Sequence, residues 1–199
     1  MSQNDLAPFQ PNRLAQKLLE LCGWKCSFNG LPGPRGVIIF YPHTSNWDFC
    51  MGILAKWAMG VQFKFLAKHT LFKIPVFGAW LASIGGIPVI RHSPQGYVQD
   101  LVQTISGAPY FWLVIAPEGT RRKTTGWRSG FYQVALQAQI PIGLAYLDYR
   151  KKEVGLSTFF TPSGDADKDL IFFRDFYEDK IGCHPHHASP IQFWTPPKR

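Results

Sequence analysis

From residue 37 onward, short runs of β-branched and aromatic residues alternate with stretches of helical periodicity. The runs predict strands near 37–41, 63–67, 87–90, 111–116 and 142–147, and the stretches between them predict helices near 47–59, 70–83, 94–106 and 129–139. A strand pair around 154–160 and a final helix near 167–180 follow. This alternation favours an α/β fold: a single domain with a largely parallel central sheet and helices on both faces.

A short amphipathic helix is predicted ahead of this core. Asn12 is a candidate N-cap, Gly23 is a stop signal, and Leu14, Leu18, Leu21 and Cys22 follow helical spacing. We expect this helix to pack on the core with partial membrane contact. The chain of 199 residues is therefore divided into a tail and amphipathic helix (1–30), one folded domain (31–184) and a Pro-rich C-terminal tail (185–199).

Charge is sparse in this chain and unevenly placed. Lys and Arg number 21 against 13 Asp and Glu, and residues 49–99 contain no acidic residue. A surface of this kind attracts anions such as acidic lipid headgroups, a phosphorylated substrate or nucleic acid. Nucleic-acid recognition motifs are absent and the aromatic residues fall mainly at core-like positions, so no nucleic-acid partner is expected.

The beginning of the chain and its longest uncharged stretches bear on its location. The polar start MSQNDLAPFQPN is unlike a signal peptide, and proline, glycine and glutamine interrupt each long uncharged stretch. We therefore expect a peripheral protein on the cytoplasmic side of a membrane, with no signal peptide and no transmembrane helix. The segment with Cys183, His184, His186 and His187 matches no zinc spacing, so a structural or exposed turn is preferred and neither metal nor cofactor is expected.

Polar residues follow four of the predicted strands, at the edge where parallel sheets collect ligands. His43 and Asp48, separated by four residues, follow the first; a carboxylate in the first helical turn can orient an imidazole that accepts a proton. Lys68 and Arg91 follow the next two strands. The fourth strand is followed by residues 117–121, PEGTR. In this segment the guanidinium of Arg121 suits a phosphate group and the carboxylate of Glu118 suits a hydroxyl group.

The blocks HTSNWD, GGIPVIR, PEGTR and IPIGLAY resemble, in this order, the lysophospholipid and glycerolipid acyltransferase family, typified by bacterial 1-acyl-glycerol-3-phosphate acyltransferase. AKHTLFKIPVFG is similar to the family's lysine-bearing segment. The resemblance covers about residues 37–150 and implies the glycerolipid acyltransferase fold, with residues 31–184 as the acyltransferase domain.

The resemblance implies transfer of a fatty acyl group from acyl-CoA or acyl carrier protein to the hydroxyl of a lysophospholipid, by default 1-acyl-sn-glycerol-3-phosphate, in phospholipid biosynthesis at an anionic membrane surface. His43 would be the general base, oriented by Asp48, with no acyl-enzyme. Lys68 and backbone N–H groups near Gly86 would stabilise the oxyanion. The acceptor's glycerol phosphate would be held by Arg91, Glu118, Gly119, Thr120 and Arg121.

Three alternatives stay open. Departures from the family pattern at Pro42, Pro88 and Ile90 admit another acceptor, such as a lyso-ornithine lipid. A protein that binds anionic lipid without turnover would share the basic, aromatic surface. A thioester hydrolase would replace the acceptor by water, but the chain lacks the Gly-x-Ser-x-Gly elbow of serine hydrolases.

Overall fold

Six helices and seven strands make up the part of the chain that the computed structural model describes, residues 10–89 and 96–195. In chain order they are α1 (Arg13–Leu21), β1 (Lys25–Phe28), β2 (Arg35–Phe40), α2 (Trp47–Met59), β3 (Lys64–Lys68), α3 (Phe77–Ser83), β4 (Gly86–Val89), α4 (Tyr97–Gly107), β5 (Phe111–Ile115), α5 (Gly130–Ala138), β6 (Ile142–Asp148), β7 (Glu153–Phe160) and α6 (Ala166–Tyr177). Two 3₁₀ turns, His69–Lys73 and Pro185–His187, complete the regular structure of these residues.

The strands form one sheet in the order β1-β7-β6-β2-β5-β3-β4. The five strands from β6 to β4 are parallel to one another, while β7 runs antiparallel to β6 and β1 pairs parallel with β7. The predicted single α/β domain with a largely parallel sheet is confirmed. All five parallel strands end at the same edge, and the loops that follow them meet there.

Helices cover both faces of the sheet because successive side chains of each strand point to opposite sides. Val37 and Ile39 of β2 belong to a core that includes residues of α4, α5 and α6. Ile38 points the other way, into a second core that includes residues of α1 and α2. Packing of α3 beside α2 encloses a third, small cluster around Ile53 and Leu81. The α1, α2 and α3 helices thus form one layer.

Helix α1 begins at the predicted cap, but its buried face differs from the expected one. Asn12 Oδ1 accepts hydrogen bonds from the backbone N–H groups of Leu14 and Ala15. The residues that face the core are Ala15 and Leu19, whereas the leucines expected to pack there, Leu14, Leu18 and Leu21, are all exposed. The buried face of α1 therefore runs through Ala15 and Leu19, four residues apart, and the other leucines lie outside it.

Two further element predictions differ from the structure, and the expected start of a third element lies outside the described residues. The helix expected over 70–83 is split into a 3₁₀ turn and α3, because Pro75 lacks an N–H and holds Ile74 in an extended conformation. The helix expected over 94–106 is described from Tyr97, and its expected start at Ser93 and Pro94 lies outside the described residues. Strand β1 was not predicted; it is only four residues long and depends on pairing with β7.

Both segments expected to flank the domain belong to the same folded body where the structure describes them. In the first, α1 and β1 pack into the core and the sheet. In the last, Phe193 pairs with Trp127, and Ser189 O accepts a hydrogen bond from the Tyr41 hydroxyl over 2.9 Å. No helix within residues 10–89 and 96–195 combines the length and apolar character needed to cross a bilayer.

Candidate active site

His43 and Asp48 meet where β2 ends and α2 begins. Asp48 lies in the first turn of α2 and its carboxylate reaches back over the preceding loop, with Oδ2 3.1 Å from His43 Nδ1. The same oxygen accepts hydrogen bonds from the backbone N–H groups of Thr44 (2.7 Å) and Ser45 (2.8 Å). Asp48 is only 1% exposed, while the His43 ring is partly exposed. The carboxylate therefore anchors both the loop and the imidazole.

Tyr149, which sequence analysis missed, completes the environment of Asp48. Its hydroxyl donates to Asp48 Oδ1 over 2.7 Å. Burial and the neighbouring carboxylate raise the pKa of Tyr149, so it stays a hydrogen-bond donor. The only available sequence signal was its position directly after β6. Burial raises the pKa of Asp48, but hydrogen bonds from His43, Tyr149 and Ser45 outweigh that effect, and the net pKa lies below the ordinary value.

The contact with Asp48 decides which nitrogen of His43 is basic. An ionised carboxylate only accepts hydrogen bonds, so the proton in this contact is carried by Nδ1. Nε2 is then left with a lone pair that can take a proton from a substrate. The arrangement suits general-base chemistry in which Asp48 orients the ring and stabilises the imidazolium.

Glu118 lies beneath His43, where its surroundings differ from those expected for a hydroxyl-binding residue. The side chain is 2% exposed. Its Oε2 accepts from the backbone N–H of His43 and its Oε1 from that of Ser189, both over 2.8 Å. Burial raises the pKa of Glu118, and these amides offset only part of the effect. The contacts favour a positioning role, because both oxygens already have protein donors.

A shallow cavity of about 420 Å³, wide open to solvent, lies beside the His43 loop. Its lining consists of Thr44, Ser45, Asn46, Trp47, Arg121, Arg122, His184 and His187. Arg121 was expected at such a site. Arg122 is exposed and the histidines lie on a partly exposed turn, as expected, but they also border this cavity. Gly119 and Thr120 belong to the same turn after β5, which a positive φ of 66° at Gly119 helps to form. Two guanidiniums therefore share one cavity with two imidazoles.

Lys68 and Gly86, which were expected to stabilise the oxyanion, do not line this cavity. Lys68 is the last residue of β3, exposed, and two strands from β2 at the same edge. Gly86 is level with Phe65, Val114 and Ile38 across the sheet, three strand spacings or about 14 Å to the side of β2. This placement argues against an oxyanion contact from Gly86, because its backbone lies below the edge that carries His43. Arg91 lies outside the described residues.

Comparisons with known proteins agree with this architecture. The crystal structure of the 1-acyl-sn-glycerophosphate acyltransferase PlsC from Thermotoga maritima matches with a TM-score of 0.53 and 17% identity, over 81% of this chain and 72% of that one. That likeness shows the shared fold. Two curated proteins are also similar, both named 1-acyl-sn-glycerol-3-phosphate acyltransferase, chloroplastic: BAT2 of Brassica napus, 28% identical over 107 residues, and LPAT1 of Arabidopsis thaliana, 30% identical over 112 residues.

These plant matches cover 50% and 51% of this chain but only 30% and 31% of the relatives, so the chain spans about a third of their length. The family model described as Acyltransferase matches residues 28–143, which include the His43 loop, Asp48 and the turn after β5. Since that match extends over more than half of the 199 residues, the chain belongs to the Acyltransferase family.

Proposed function

We propose that this protein transfers a fatty acyl group from a thioester of coenzyme A or acyl carrier protein to the hydroxyl of a lysophospholipid, with 1-acyl-sn-glycerol-3-phosphate as the first acceptor to test. The observation that carries the proposal is the His43–Asp48 pair, 3.1 Å apart, beside a cavity lined by Arg121 and Arg122. A base next to cationic groups suits a hydroxyl acceptor that carries phosphate. The names of both plant relatives, 1-acyl-sn-glycerol-3-phosphate acyltransferase, support this acceptor.

The proposed reaction needs no acyl-enzyme. Nε2 of His43 takes the proton of the acceptor hydroxyl while its oxygen attacks the thioester carbonyl carbon. Asp48 stabilises the resulting imidazolium. When the tetrahedral intermediate collapses, the carbon–sulfur bond breaks and the imidazolium returns its proton to the departing thiolate. Lys68, at the end of the β3 strand, is the proposed cation for the oxyanion.

The turn after β5 is the proposed holder of the acceptor's glycerol phosphate. Arg121 lines the cavity, and Gly119 and Thr120 precede it in the same turn. Arg91 is proposed as a further phosphate ligand on the family resemblance. The buried carboxylate of Glu118 supports this turn and the His43 loop from below.

The proposed membrane partner is an anionic lipid surface on the cytoplasmic side. It is supported by the outer face of the α1–α2–α3 layer, which we call the apolar face and define by the exposed residues Leu14, Leu18, Leu21, Trp57, Ile74, Val76, Phe77 and Trp80. Exposed Lys64, Lys68 and Lys73 lie in the same part of the chain, and residues 49–99 carry no acidic side chain. Apolar side chains flanked by lysines suit an anionic bilayer interface.

The first experiment follows free thiol during incubation with palmitoyl-CoA and lysophosphatidic acid, for the parent and for His43→Ala. Loss of the base should lower the rate by about two to four orders of magnitude. His69→Ala is the control, since His69 lies in the 3₁₀ turn after β3. Circular dichroism checks that each variant is folded.

Other outcomes would decide for the alternatives. Thiol release at the parent rate by His43→Ala would refute the assigned base. Release that needs no acceptor would indicate a thioester hydrolase, and binding without release in either protein would indicate a lipid-binding protein. A panel of lysophospholipids and lyso-ornithine lipid, with products read by mass spectrometry, identifies the acceptor.

A further inference from the structure

The segment at 181–189, which we call the C-terminal strap, crosses the ends of three central strands. Ile181 O accepts a hydrogen bond from the backbone N–H of Tyr149, after β6, over 2.8 Å. The backbone N–H of His184 donates to Thr44 Oγ1, after β2, over 3.1 Å. The N–H of Ser189 donates to Glu118, after β5. The strap is thus fixed to the same loops that form the candidate active site.

Close packing fixes the path of this strap further. A Cβ atom at Gly182 would lie 2.8 Å from Thr44 Oγ1 and 3.1 Å from Pro42 Cγ, so a larger residue there would displace the loop. At its other end Ser189 is 1% exposed, and its hydroxyl accepts a hydrogen bond from the backbone N–H of Thr124. These contacts give the histidines between them a defined position.

That position places two imidazoles in the cavity beside His43. His184 and His187 line it together with Arg121 and Arg122, and their ring centroids are 5.5 Å apart. The Nδ1 atom of His187 is buried and has no hydrogen-bond partner among the described residues. Asn46 and Trp47 also line the cavity, at the start of α2, where the helix dipole adds partial positive charge.

The lining favours an anion. It contains two arginines and no carboxylate, and the nearby carboxylates of Asp48 and Glu118 are buried with protein donors on their oxygens. Guanidiniums repel a metal cation and bind phosphate oxygens well. In the part of the chain that the structure describes, no group of three or more His, Cys, Asp or Glu side chains is arranged to hold a metal ion.

We propose that His184 and His187 of the C-terminal strap complete, with Arg121 and Arg122, a subsite for a phosphate monoester. Within the proposed acyl transfer, on which this reading of the ligand rests, that group belongs either to the acceptor or to the 3′-phosphate of coenzyme A. A monoester offers three terminal oxygens to the donors around the cavity, whereas a diester offers two. The strap therefore selects the substrate that carries a terminal phosphate.

The direct test measures binding of glycerol 3-phosphate and of adenosine 3′,5′-bisphosphate to the full chain by calorimetry at constant ionic strength. His184→Ala/His187→Ala should weaken binding of one probe by about tenfold or more, the expected loss when a hydrogen bond to a charged group is removed. His186→Ala is the matched control, because His186 lies on the same strap and is exposed but does not line the cavity. It should bind as the parent does.

Steady-state kinetics separate the two sources of phosphate. A raised KM for lysophosphatidic acid with an unchanged KM for palmitoyl-CoA assigns the subsite to the acceptor, and the reverse pattern assigns it to the donor. Equal affinity of the double variant and the parent for both probes would overturn the proposal. If the double variant unfolds, His184→Gln and His187→Gln are measured singly, with the same criteria.

Binding and turnover can fail separately. Binding of either probe requires no acyl transfer. If the parent releases no thiol, but the double variant binds a probe more weakly than the parent does, the phosphate subsite is supported and the proposed enzyme activity is refuted. If the parent releases thiol, but the double variant binds both probes as tightly as the parent does, the enzyme activity is supported and the phosphate subsite is refuted.

Discussion

The backbone N–H of His43 donates to Glu118 Oε2 over 2.8 Å, although the two residues are 75 positions apart in the chain. Through this bond the loop after β2 is held by the turn after β5. The other oxygen of the same carboxylate holds Ser189 of the C-terminal strap. One buried side chain thus connects the candidate base, the cationic turn and the strap that brings His184 and His187 to the cavity.

Glu118→Gln should weaken this connection. The glutamine keeps one acceptor oxygen but turns an NH₂ group toward one of the two backbone donors. A buried donor left unsatisfied costs about 1–3 kcal/mol in the free energy of unfolding, which urea denaturation measures. We expect kcat to fall with little change in the acceptor KM. A raised acceptor KM with unchanged stability would instead support hydroxyl binding by Glu118.

Tyr149→Phe should destabilise the protein by removing the donor to Asp48 Oδ1. Because the pKa of Asp48 is lowered in the folded state, the ionised carboxylate stabilises the fold above its ordinary pKa, and this contribution is lost as pH falls through the folded value. We expect a loss of about 1–2 kcal/mol at neutral pH that shrinks below about pH 4, measured by denaturation across pH.

Tyr97→Phe is the control for that experiment, since the Tyr97 hydroxyl is buried without a hydrogen-bond partner among the described residues. Its removal should leave stability unchanged or slightly higher. Equal stability of Tyr149→Phe and the parent at neutral pH would show that the bond to Asp48 contributes nothing to the fold.

Lys56→Met tests a buried lysine outside the site. Lys56 Nζ donates to the carbonyl oxygens of Phe63 and Ile84, and burial, with a smaller effect of Lys64, lowers its pKa to about 8. Between that value and the ordinary 10.5 the unfolded chain binds more protons than the folded one, so stability rises with pH. Relative to the variant, the parent should gain about 3 kcal/mol over this range.

Denaturation of both proteins from pH 7 to 10.5 measures that gain. Lys73→Met is the control, because it also removes one lysine but at an exposed position. Parallel stability curves for the parent and Lys56→Met would contradict the lowered pKa.

Ile74→Asp/Val76→Asp should reduce binding to vesicles of mixed phosphatidylcholine and phosphatidylglycerol, measured by co-sedimentation. Both residues belong to the apolar face, and Val76 is 86% exposed, so the fold should be unaffected. Acidic side chains oppose insertion and repel anionic lipid. Ile171→Asp is the control, since Ile171 is an exposed residue of α6 on the other side of the sheet. If Ile171→Asp lost as much vesicle binding as the Ile74→Asp/Val76→Asp double variant, the apolar face would be refuted as the membrane-docking surface.

Local spacing was enough to predict several features correctly. Runs of β-branched residues separated by helical stretches indicated the central strands, and the amino-end cap of α1 was visible in Asn12. The contact between His43 and Asp48 was predictable for the same reason, because five residues that span a loop and the first helical turn leave few alternative geometries. Two local predictions were wrong: Pro75 interrupts the helix expected over 70–83, and the buried face of α1 consists of Ala15 and Leu19 and not of the leucines at 14, 18 and 21.

The amino-acid sequence by itself determined the parallel sheet, the edge at which its ligand-binding loops gather, and the pairing of His43 with Asp48. Tertiary structure alone decided that Glu118 faces inward to His43, that Tyr149 reaches Asp48 from 101 positions away, and that His184 and His187 enter the cavity. The physical reason is that contacts within one loop follow from backbone geometry, whereas contacts between distant loops depend on strand order and packing, which no local pattern records.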